Sequence, residues 1–257
     1  MGHDHPYLLY LSNMQNRRIN LYKWVFRIAL WASLLLPGLS YAKSSTRLIE
    51  KNPVIAGQKA YIALPYRSKR GLPQIIIYSH GSNTTVTRNL NDPFMKKMRS
   101  YGRYFTRHNY IFAASAQHGA NRGSLKSVQD MYNLIHWVQK RYRTKRKVHL
   151  IGFSMGGLPT FHFALRYPGL VDRIAGLAPT IHLRDWNKRR YRAIRRIRIG
   201  IWHGDRDQHV SFRQSQLFVR RARRYRLHIR LVRIRGARHY DVDNELKGRI
   251  LRFFIRR

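Results

Sequence analysis

The sequence has no cysteine and few acidic residues. None of its 257 residues is Cys, which excludes disulfides and thiolate metal sites. Asp and Glu total 11 against 51 Lys and Arg, and the formal net charge is +40. Such a surplus attracts anionic surfaces and polymers. The charge is spread along the chain rather than held in one arm, so general basicity is the first interpretation and a polyanion partner the second.

Nucleic-acid-binding motifs and low-complexity linkers are also missing. Basic clusters occur at residues 141–147, 188–198 and 220–226, but no aromatic residues are interleaved with them at a repeating interval, so we interpret them as solvated helix faces. Hydrophobic residues make up 44% of the chain and aromatic residues 12%. That content supports a sizeable core and excludes an intrinsically disordered chain.

No apolar run is long enough to cross a bilayer comfortably, but residues 17–42 resemble an export signal. A basic front at residues 17–27 precedes the short apolar run Ile28–Leu36. Pro37 and Gly38 end that run, and residues 40–42 resemble a cleavage site. This order of basic, apolar and small residues is typical of secretory leaders.

We therefore predict a leader at residues 1–42, with Met14 as an alternative start, and a folded domain at residues 43–257. Export would place this domain in the periplasm or outside the cell. The alternative is a membrane-anchored protein in which residues 24–39 remain as the anchor.

Strand patterns alternate with helix patterns along the folded part. Runs rich in β-branched and apolar residues predict strands, and apolar residues at helical spacing predict helices. The predicted strands cover residues 59–64, 74–78, 110–114, 147–151, 173–178, 197–202 and 227–234. The predicted helices cover residues 93–108, 124–142, 155–166, 210–225 and 243–254. This alternation predicts an α/β fold, with a mainly parallel sheet and helices on both faces.

The stretch Val148–Gly157 carries the strongest chemical signal. An apolar strand pattern runs into Gly152-Phe-Ser154-Met-Gly156 and then directly into a helix pattern. A turn this tight leaves no room for side chains on either side of the serine, and it lifts the serine hydroxyl clear of the sheet. A serine in that position is a candidate nucleophile, which needs a neighbouring base to become reactive. An ordinary helix N-cap is the alternative role.

Further motifs follow other predicted strands. His80-Gly81 ends one strand, His203-Gly-Asp-Arg-Asp207 ends another, and Gly236-Ala-Arg-His239 follows the last. Together with the serine turn, these motifs resemble the α/β-hydrolase superfamily over about residues 57–257. The order serine, acid, histidine is the order used by that fold. Active sites in such sheets lie at the carboxyl ends of the strands, where all these motifs are predicted to lie.

The resemblance implies a role for each motif. Ser154 corresponds to the nucleophile, His239 to the general base and Asp207 to the acid that orients the base. His209 is the rival candidate for the base. Asp205 is the rival for the acid, with closing of the turn as its ordinary role.

An oxyanion hole is also implied by the resemblance. The family takes one backbone N–H from the residue after the nucleophile, here Met155, and one from just after the earlier His-Gly pair, here Ser82. The amide of Asn83 is a candidate assistant at the same place. His80 itself is interpreted as structural.

The resemblance predicts a serine hydrolase that acts on a small-molecule or polymeric carboxylic ester, without a cofactor, and the leader predicts that it is exported. A short, Arg-rich cap is expected at residues 180–196. The remaining histidines lack ligand spacing, so no metal site is predicted. A small peptidase or amidase is the second enzymatic interpretation, and a polyanion-binding protein on a hydrolase scaffold is the interpretation from a different class. The sequence does not specify the acyl group, the alcohol or the oligomeric state.

Overall fold

A largely parallel β-sheet forms the centre of the folded part. The computed structural model describes residues 48–66, 71–244 and 246–256; the predicted leader lies outside them. The strands are β1 (Ile49–Lys51), β2 (Val54–Ile55), β3 (Gln58–Leu64), β4 (Gln74–Ser79), β5 (Tyr110–Ser115), β6 (Val148–Phe153), β7 (Val171–Leu177), β8 (Arg198–Gly204) and β9 (Ile229–Ile234). Their order in the sheet is β1-β3-β5-β4-β6-β7-β8-β9, and β2 pairs with β3.

The sheet is parallel from β5 to β9 and antiparallel at its other edge, where β3 pairs with β1, β2 and β5. The strands between β3 and β8 are buried almost throughout. Continuous apolar runs such as the one at residues 74–78 arise because a parallel sheet is covered on both faces.

Helices cover both faces of this sheet. They are α1 (Pro93–Thr106), α2 (Leu125–Arg141), α3 (Gly157–Arg166), α4 (Lys188–Ala193), α5 (Phe212–Arg224), α6 (Asp241–Asn244) and α7 (Lys247–Ile255). The apolar side chains of α2, α3 and α5 form one hydrophobic core with the sheet, and those of α1 and α7 form a second core on the opposite face. The predicted α/β architecture is therefore confirmed. No helix within the described ranges combines the length and the apolar character that crossing a bilayer requires.

Some local predictions were wrong. The strands β1 and β2 and the short helix α4 were not predicted, because two to six residues are too few for a periodic pattern to be recognised. The last predicted helix, at residues 243–254, is two helices, α6 and α7. Leu125, an apolar residue of the helix predicted at residues 124–142, is 78% exposed because it begins α2 directly after the Ser124 N-cap.

The segment predicted as a short cap, residues 180–196, lies between β7 and β8. It contains a 3-10 turn and α4. The Trp186 ring lies 5.7 Å from the Phe161 ring of α3 and 4.7 Å from the Phe218 ring of α5. Tyr191 stacks on Tyr225 at 5.0 Å. These contacts fix the segment on the face formed by α3 and α5.

A buried histidine in β6 makes stability depend on pH. The side chain of His149 is 1% exposed, and its ring stacks on that of Phe254 at 4.3 Å. Among the described residues, neither of its ring nitrogens has a hydrogen-bond partner, and the nearest carboxylate, that of Asp172, lies 3.6 Å from Nδ1. Burial, together with the charges of Arg173 and Lys145, lowers the pKa of His149 from 6.5 to about 3. The folded protein therefore holds this imidazole neutral.

We expect the free energy of unfolding to fall as the pH drops from 6.5 towards 3. In that window the unfolded chain binds a proton at residue 149 that the folded chain excludes, which costs up to about 1.4 kcal/mol per pH unit. His149→Phe should remove this contribution, whereas His228→Phe, at an exposed histidine, should retain it. Urea denaturation between pH 7 and pH 4 provides the comparison. If the free energy of unfolding fell equally steeply with pH in His149→Phe and in the parent protein, this pH dependence could not be assigned to His149.

Candidate active site

Ser154 occupies a sharp turn between β6 and α3. Its φ is +51°, in the left-handed region that residues other than glycine rarely adopt. A Cβ atom added at Gly156 would lie 2.1 Å from the backbone oxygen of Ser79, and one at Gly152 would lie 2.6 Å from Oγ1 of Thr160. The turn therefore depends on two positions without side chains, as the sequence pattern predicted.

Gly156→Ala should destabilise the protein by several kcal/mol and abolish any activity that requires Ser154. The reason is that the added methyl group meets the backbone of β4, which cannot rotate away as a flexible side chain could. Gly169→Ala is the matched control, because a Cβ at that exposed position meets nothing within 4 Å. Thermal melting of the two variants measures the difference. A Gly156→Ala protein with the melting temperature of the control would refute the close approach.

Three side chains from three separate loops form one hydrogen-bonded chain. Nε2 of His239 lies 2.8 Å from Oγ of Ser154, and Nδ1 of His239 lies 2.7 Å from Oδ2 of Asp207. His239 is 3% exposed, and the side chain of Asp207 is fully buried. The structure therefore brings together the three residues that the sequence motifs singled out, at the carboxyl ends of β6, β8 and β9.

The loops after β8 and β9 meet because β8 ends in glycine. A Cβ atom at Gly204 would lie 2.2 Å from the backbone oxygen of Ala237. That same oxygen accepts a hydrogen bond from the backbone N–H of Arg206 at 3.1 Å. The close contact holds the Asp207 loop beside the loop that carries His239.

The carboxylate of Asp207 is held in its ionised form. Oδ1 accepts the backbone N–H groups of His209 and Val210, each at 2.8 Å. Burial by itself raises the pKa of Asp207, but hydrogen bonds from His203, His239 and the two backbone N–H groups outweigh it and hold the pKa well below the usual 3.8. An ionised carboxylate only accepts hydrogen bonds, so Nδ1 of His239 is the donor. In the neutral ring, Nε2 is then left to accept the hydroxyl proton of Ser154.

A second imidazole contacts the same carboxylate, and sequence reasoning gave it no role. His203 is fully buried, with Nε2 3.2 Å from Oδ2 of Asp207 and 2.8 Å from the backbone oxygen of Val210. Both neighbours are acceptors, so Nε2 carries a proton, and Nδ1 lies 2.8 Å from the hydroxyl oxygen of Ser215. The contacts of His203 hold the Asp207 loop against the end of β8 and the start of α5. In the sequence, the only feature that pointed to a role for His203 was the His-Gly pair that ends β8.

The two rival candidates occupy other positions. Asp205 accepts from the guanidinium of Arg233 at 2.8 Å and from the backbone N–H of Gly236 at 2.7 Å, so its carboxylate closes the turn. His209 is exposed, and its ring lies 5.1 Å from the ring of His239. It contributes its backbone N–H to Asp207.

The predicted oxyanion-hole residues lie on two segments, one at the serine turn and one after β4. Met155 directly follows Ser154 and is buried. Gly81, which precedes Ser82, packs against the serine, since a Cβ atom there would lie 3.5 Å from Cβ of Ser154. The Ser82 hydroxyl itself donates to Oδ1 of Asn83 at 3.2 Å.

His80 makes hydrogen bonds that hold the end of β4 in place. The ring nitrogens of His80 lie 2.8 Å and 2.9 Å from the backbone oxygens of Gly81 and Ala116, in a fully buried position. Those contacts fix the strand end, as the structural interpretation of His80 proposed. Within the described ranges, no group of three or more His, Asp or Glu side chains is arranged to hold a metal ion.

A buried ionic cluster lies behind the histidine loop and was also missed. Asp243, four residues after His239, accepts from Nζ of Lys97 at 2.8 Å and from the hydroxyl groups of Tyr78 and Tyr101 at 2.9 Å and 3.1 Å. Its side chain is 1% exposed. The cluster therefore anchors α6, and with it the end of the loop that carries His239, to β4 and α1.

Comparisons with known proteins agree with this architecture. A family model described as the α/β hydrolase fold matches residues 80–191, and the comparison with curated proteins found no match. An esterase from Pyrococcus furiosus is similar with a TM-score of 0.64 and 16% identity, covering 82% of this chain and 92% of that one. An S-formylglutathione hydrolase from Staphylococcus aureus is similar with a TM-score of 0.63 and 15% identity, covering 82% and 96%.

A larger protein shares the same core. A protein assigned as a dipeptidyl aminopeptidase IV, from Bacteroides ovatus, is similar with a TM-score of 0.68 and 15% identity. The match covers 86% of this chain but 37% of that one, so this chain corresponds to a part of that protein. The chain has the α/β-hydrolase fold, and its resemblance to the α/β-hydrolase superfamily is confirmed.

Proposed function

We propose that this protein is a serine hydrolase that cleaves carboxylic esters through an acyl-enzyme on Ser154. The observation that carries the proposal is the continuous chain of hydrogen bonds from Ser154 through His239 to Asp207. A serine hydroxyl is inert at its own pKa, and this chain supplies the base that activates it. The buried, ionised carboxylate fixes the tautomer of the base and stabilises the imidazolium that forms.

The first half-reaction forms the acyl-enzyme. Oγ of Ser154 attacks the ester carbonyl carbon while Nε2 of His239 takes the hydroxyl proton. The carbonyl oxygen becomes an oxyanion, for which the backbone N–H groups of Ser82 and Met155 are the proposed donors. The tetrahedral intermediate then expels the alcohol, which receives the proton from Nε2, and the acyl group stays on Ser154.

The second half-reaction releases the acid. Water attacks the acyl carbon while Nε2 of His239 takes one of its protons. The second tetrahedral intermediate expels Oγ of Ser154, and the imidazolium returns the proton to it. The net change is the addition of one water molecule across the ester bond, with the enzyme restored.

An ester, rather than an amide, is the proposed substrate class. Support comes from the esterase of Pyrococcus furiosus, which this fold covers over 92% of its length. The likeness to the Bacteroides ovatus protein covers 37% of that chain, so it gives less support to the peptidase alternative. Parallel assays on an ester and an amide with the same acyl group separate the two substrate classes.

We expect Ser154→Ala to lower kcat/KM for p-nitrophenyl esters by about 10⁴-fold or more, because no other group can form the acyl-enzyme. Ser211→Ala is the matched control; Ser211 is exposed, and its side chain makes no capping hydrogen bond at the start of α5. A panel of esters of increasing acyl length, run on the parent protein and both variants, gives the measurement. Equal activity in the parent and Ser154→Ala would remove the proposal.

Export remains a proposal from the sequence, since residues 1–42 lie outside the described ranges. We propose that the leader is cleaved after Ala42. Intact-mass measurement on protein recovered from the exported fraction tests it. The expected chain begins at Lys43, whereas a chain that keeps residues 24–39 would support the anchored alternative instead.

A further inference from the structure

A pocket lined by cationic side chains opens at the amino-terminal end of β8. Its lining residues are Arg195, Arg196, Arg198, Arg226 and His228, and its volume is about 450 Å³. All five of these residues are exposed to solvent. Four guanidinium groups therefore converge on one concave space.

Carboxylates are missing from the neighbourhood of this pocket in the sequence. Seven Lys and Arg and no Asp or Glu lie between Asp185 and Asp205, and ten Arg and no acid lie between Asp207 and Asp241. Among the described residues, no ion pair joins a pocket arginine to a carboxylate, and Asp205 is already paired with Arg233. Arg198 also donates to the backbone oxygen of Arg256 at 3.0 Å, and its partner on the neighbouring strand is Arg173, which follows Asp172 in the chain. Positive charge is still in large excess at the pocket, so its guanidinium groups repel one another and a bound anion would relieve that repulsion.

Buried neighbours hold the two segments that carry the arginines. Ile194, Ile197 and Leu227 point into the core, which turns the side chains between and beside them outwards. The backbone N–H of Ile199 donates to the backbone oxygen of His228 at 2.8 Å and ties the two segments together. The pocket is thus preorganised at the backbone level, which lowers the entropy cost of binding.

Arg226 has an unusual backbone conformation. Its φ is +57°, in the left-handed position just after α5 where helices normally carry glycine. The side chain thus lines the pocket from a strained position, and glycine at residue 226 would relieve that strain. Residue 226 therefore offers a variant that removes a pocket guanidinium without endangering the fold.

This pocket is remote from the candidate active site. Arg198 is the first residue of β8 and Gly204 is the last. Asp207 lies three residues after Gly204. The pocket and the hydrogen-bonded chain are therefore at opposite ends of β8, which is about 20 Å long at roughly 3.3 Å per residue. The pocket is a second site rather than a wall of the first.

We propose that this pocket binds a compact anion that carries several linked phosphate groups. Guanidinium groups bind phosphate oxygens through pairs of parallel hydrogen bonds, and phosphate chains carry the charge density that four arginines require. The concave shape favours a short oligophosphate over a long polymer, which would need a groove. The ligand can be a free oligophosphate or the phosphate groups of a lipid headgroup, and both present the same chemistry.

Isothermal titration calorimetry of the full chain with sodium tripolyphosphate tests the proposal. Arg226→Gly should raise the Kd at least ten-fold and also raise the melting temperature, so weaker binding could not be blamed on unfolding. Arg189→Gln is the control, because it removes the same charge from an exposed arginine of α4 that does not line the pocket. Its Kd should stay within about two-fold of the parent value. Ester hydrolysis should be unchanged in Arg226→Gly.

Two further experiments distinguish a free oligophosphate from the phosphate groups of a lipid headgroup. Sedimentation with phosphatidylcholine vesicles, with and without phosphatidic acid, measures headgroup binding, and competition by tripolyphosphate shows whether the headgroup uses the same pocket. Absence of saturable tripolyphosphate binding would overturn the proposal. Equal weakening by Arg226→Gly and Arg189→Gln would also overturn it, since that result would assign binding to the general basicity of the chain.

Discussion

Asp207→Asn should lower kcat/KM for ester hydrolysis by about 10⁴-fold, whereas Asp205→Asn should change it by no more than a few-fold. The two acids stand two residues apart in the same loop, so general damage to the loop would affect both variants. Only Asp207 contacts the imidazole of His239, at 2.7 Å. Asparagine at residue 207 presents an amide N–H that can turn the ring to the wrong tautomer, which leaves Nε2 unable to accept the proton of Ser154.

Steady-state kinetics of the two variants, with circular dichroism spectra to verify folding, provide the measurement. Asp205 accepts from Arg233 and from the backbone N–H of Gly236, so Asp205→Asn is expected to cost some loop stability rather than chemistry. If Asp205→Asn lost activity and Asp207→Asn retained it, the orienting acid would be reassigned to residue 205. Full activity in both would mean that no carboxylate in this loop orients the base.

Lys97→Met should lower the free energy of unfolding by about 3 kcal/mol at pH 8. The substitution leaves the carboxylate of Asp243 buried without its cation, a loss that costs about 3–5 kcal/mol in buried ion pairs. We expect the lower end of that range because the side chain of Lys97 is itself 27% exposed. Lys96→Met is the matched control, since Lys96 is the exposed neighbour on the same helix. Urea denaturation of both variants measures the difference.

The penalty in Lys97→Met should shrink as the pH falls. Burial raises the pKa of Asp243 above 3.8 even with Lys97 in place, and loss of the ammonium group raises it further. A folded-state pKa above the unfolded value means that the folded protein binds the extra proton, so stability falls as the pH rises through that pKa. The deficit relative to Lys96→Met should therefore be largest at pH 8 and smaller near pH 5. A deficit independent of pH would show that Lys97 acts through packing rather than through charge.

The sequence predicted the sheet and the serine turn because both depend on local patterns. The β-branched run at residues 74–78, bounded by Pro73 and Gly81, favours a strand that is buried on both faces, and it forms β4. The two glycines around Ser154 mark positions where another chain segment approaches too closely for a Cβ. Motifs at strand ends could be placed on one edge of the sheet because parallel strands end together.

Contacts between distant residues could not be predicted in this way. Asp243 and Lys97 are 146 residues apart, and each by itself is typical of an ordinary surface charge. The hydrogen bond between His203 and Ser215 likewise joins the end of β8 to the first turn of α5. Neither pairing follows from periodicity, since each depends on which helix packs over which strand. The short elements β1, β2 and α4 form for the same reason: their neighbours supply the pairing and packing.

Mass spectrometry of the protein after treatment with a fluorophosphonate measures the reactivity of Ser154 most directly, because this reagent phosphonylates only an activated serine. We expect one adduct, mapped by peptide digestion to Ser154, and much slower labelling in Asp207→Asn and His239→Ala. The parent protein left unlabelled under conditions that label a known serine hydrolase, or an adduct on another serine, would contradict the proposed nucleophile.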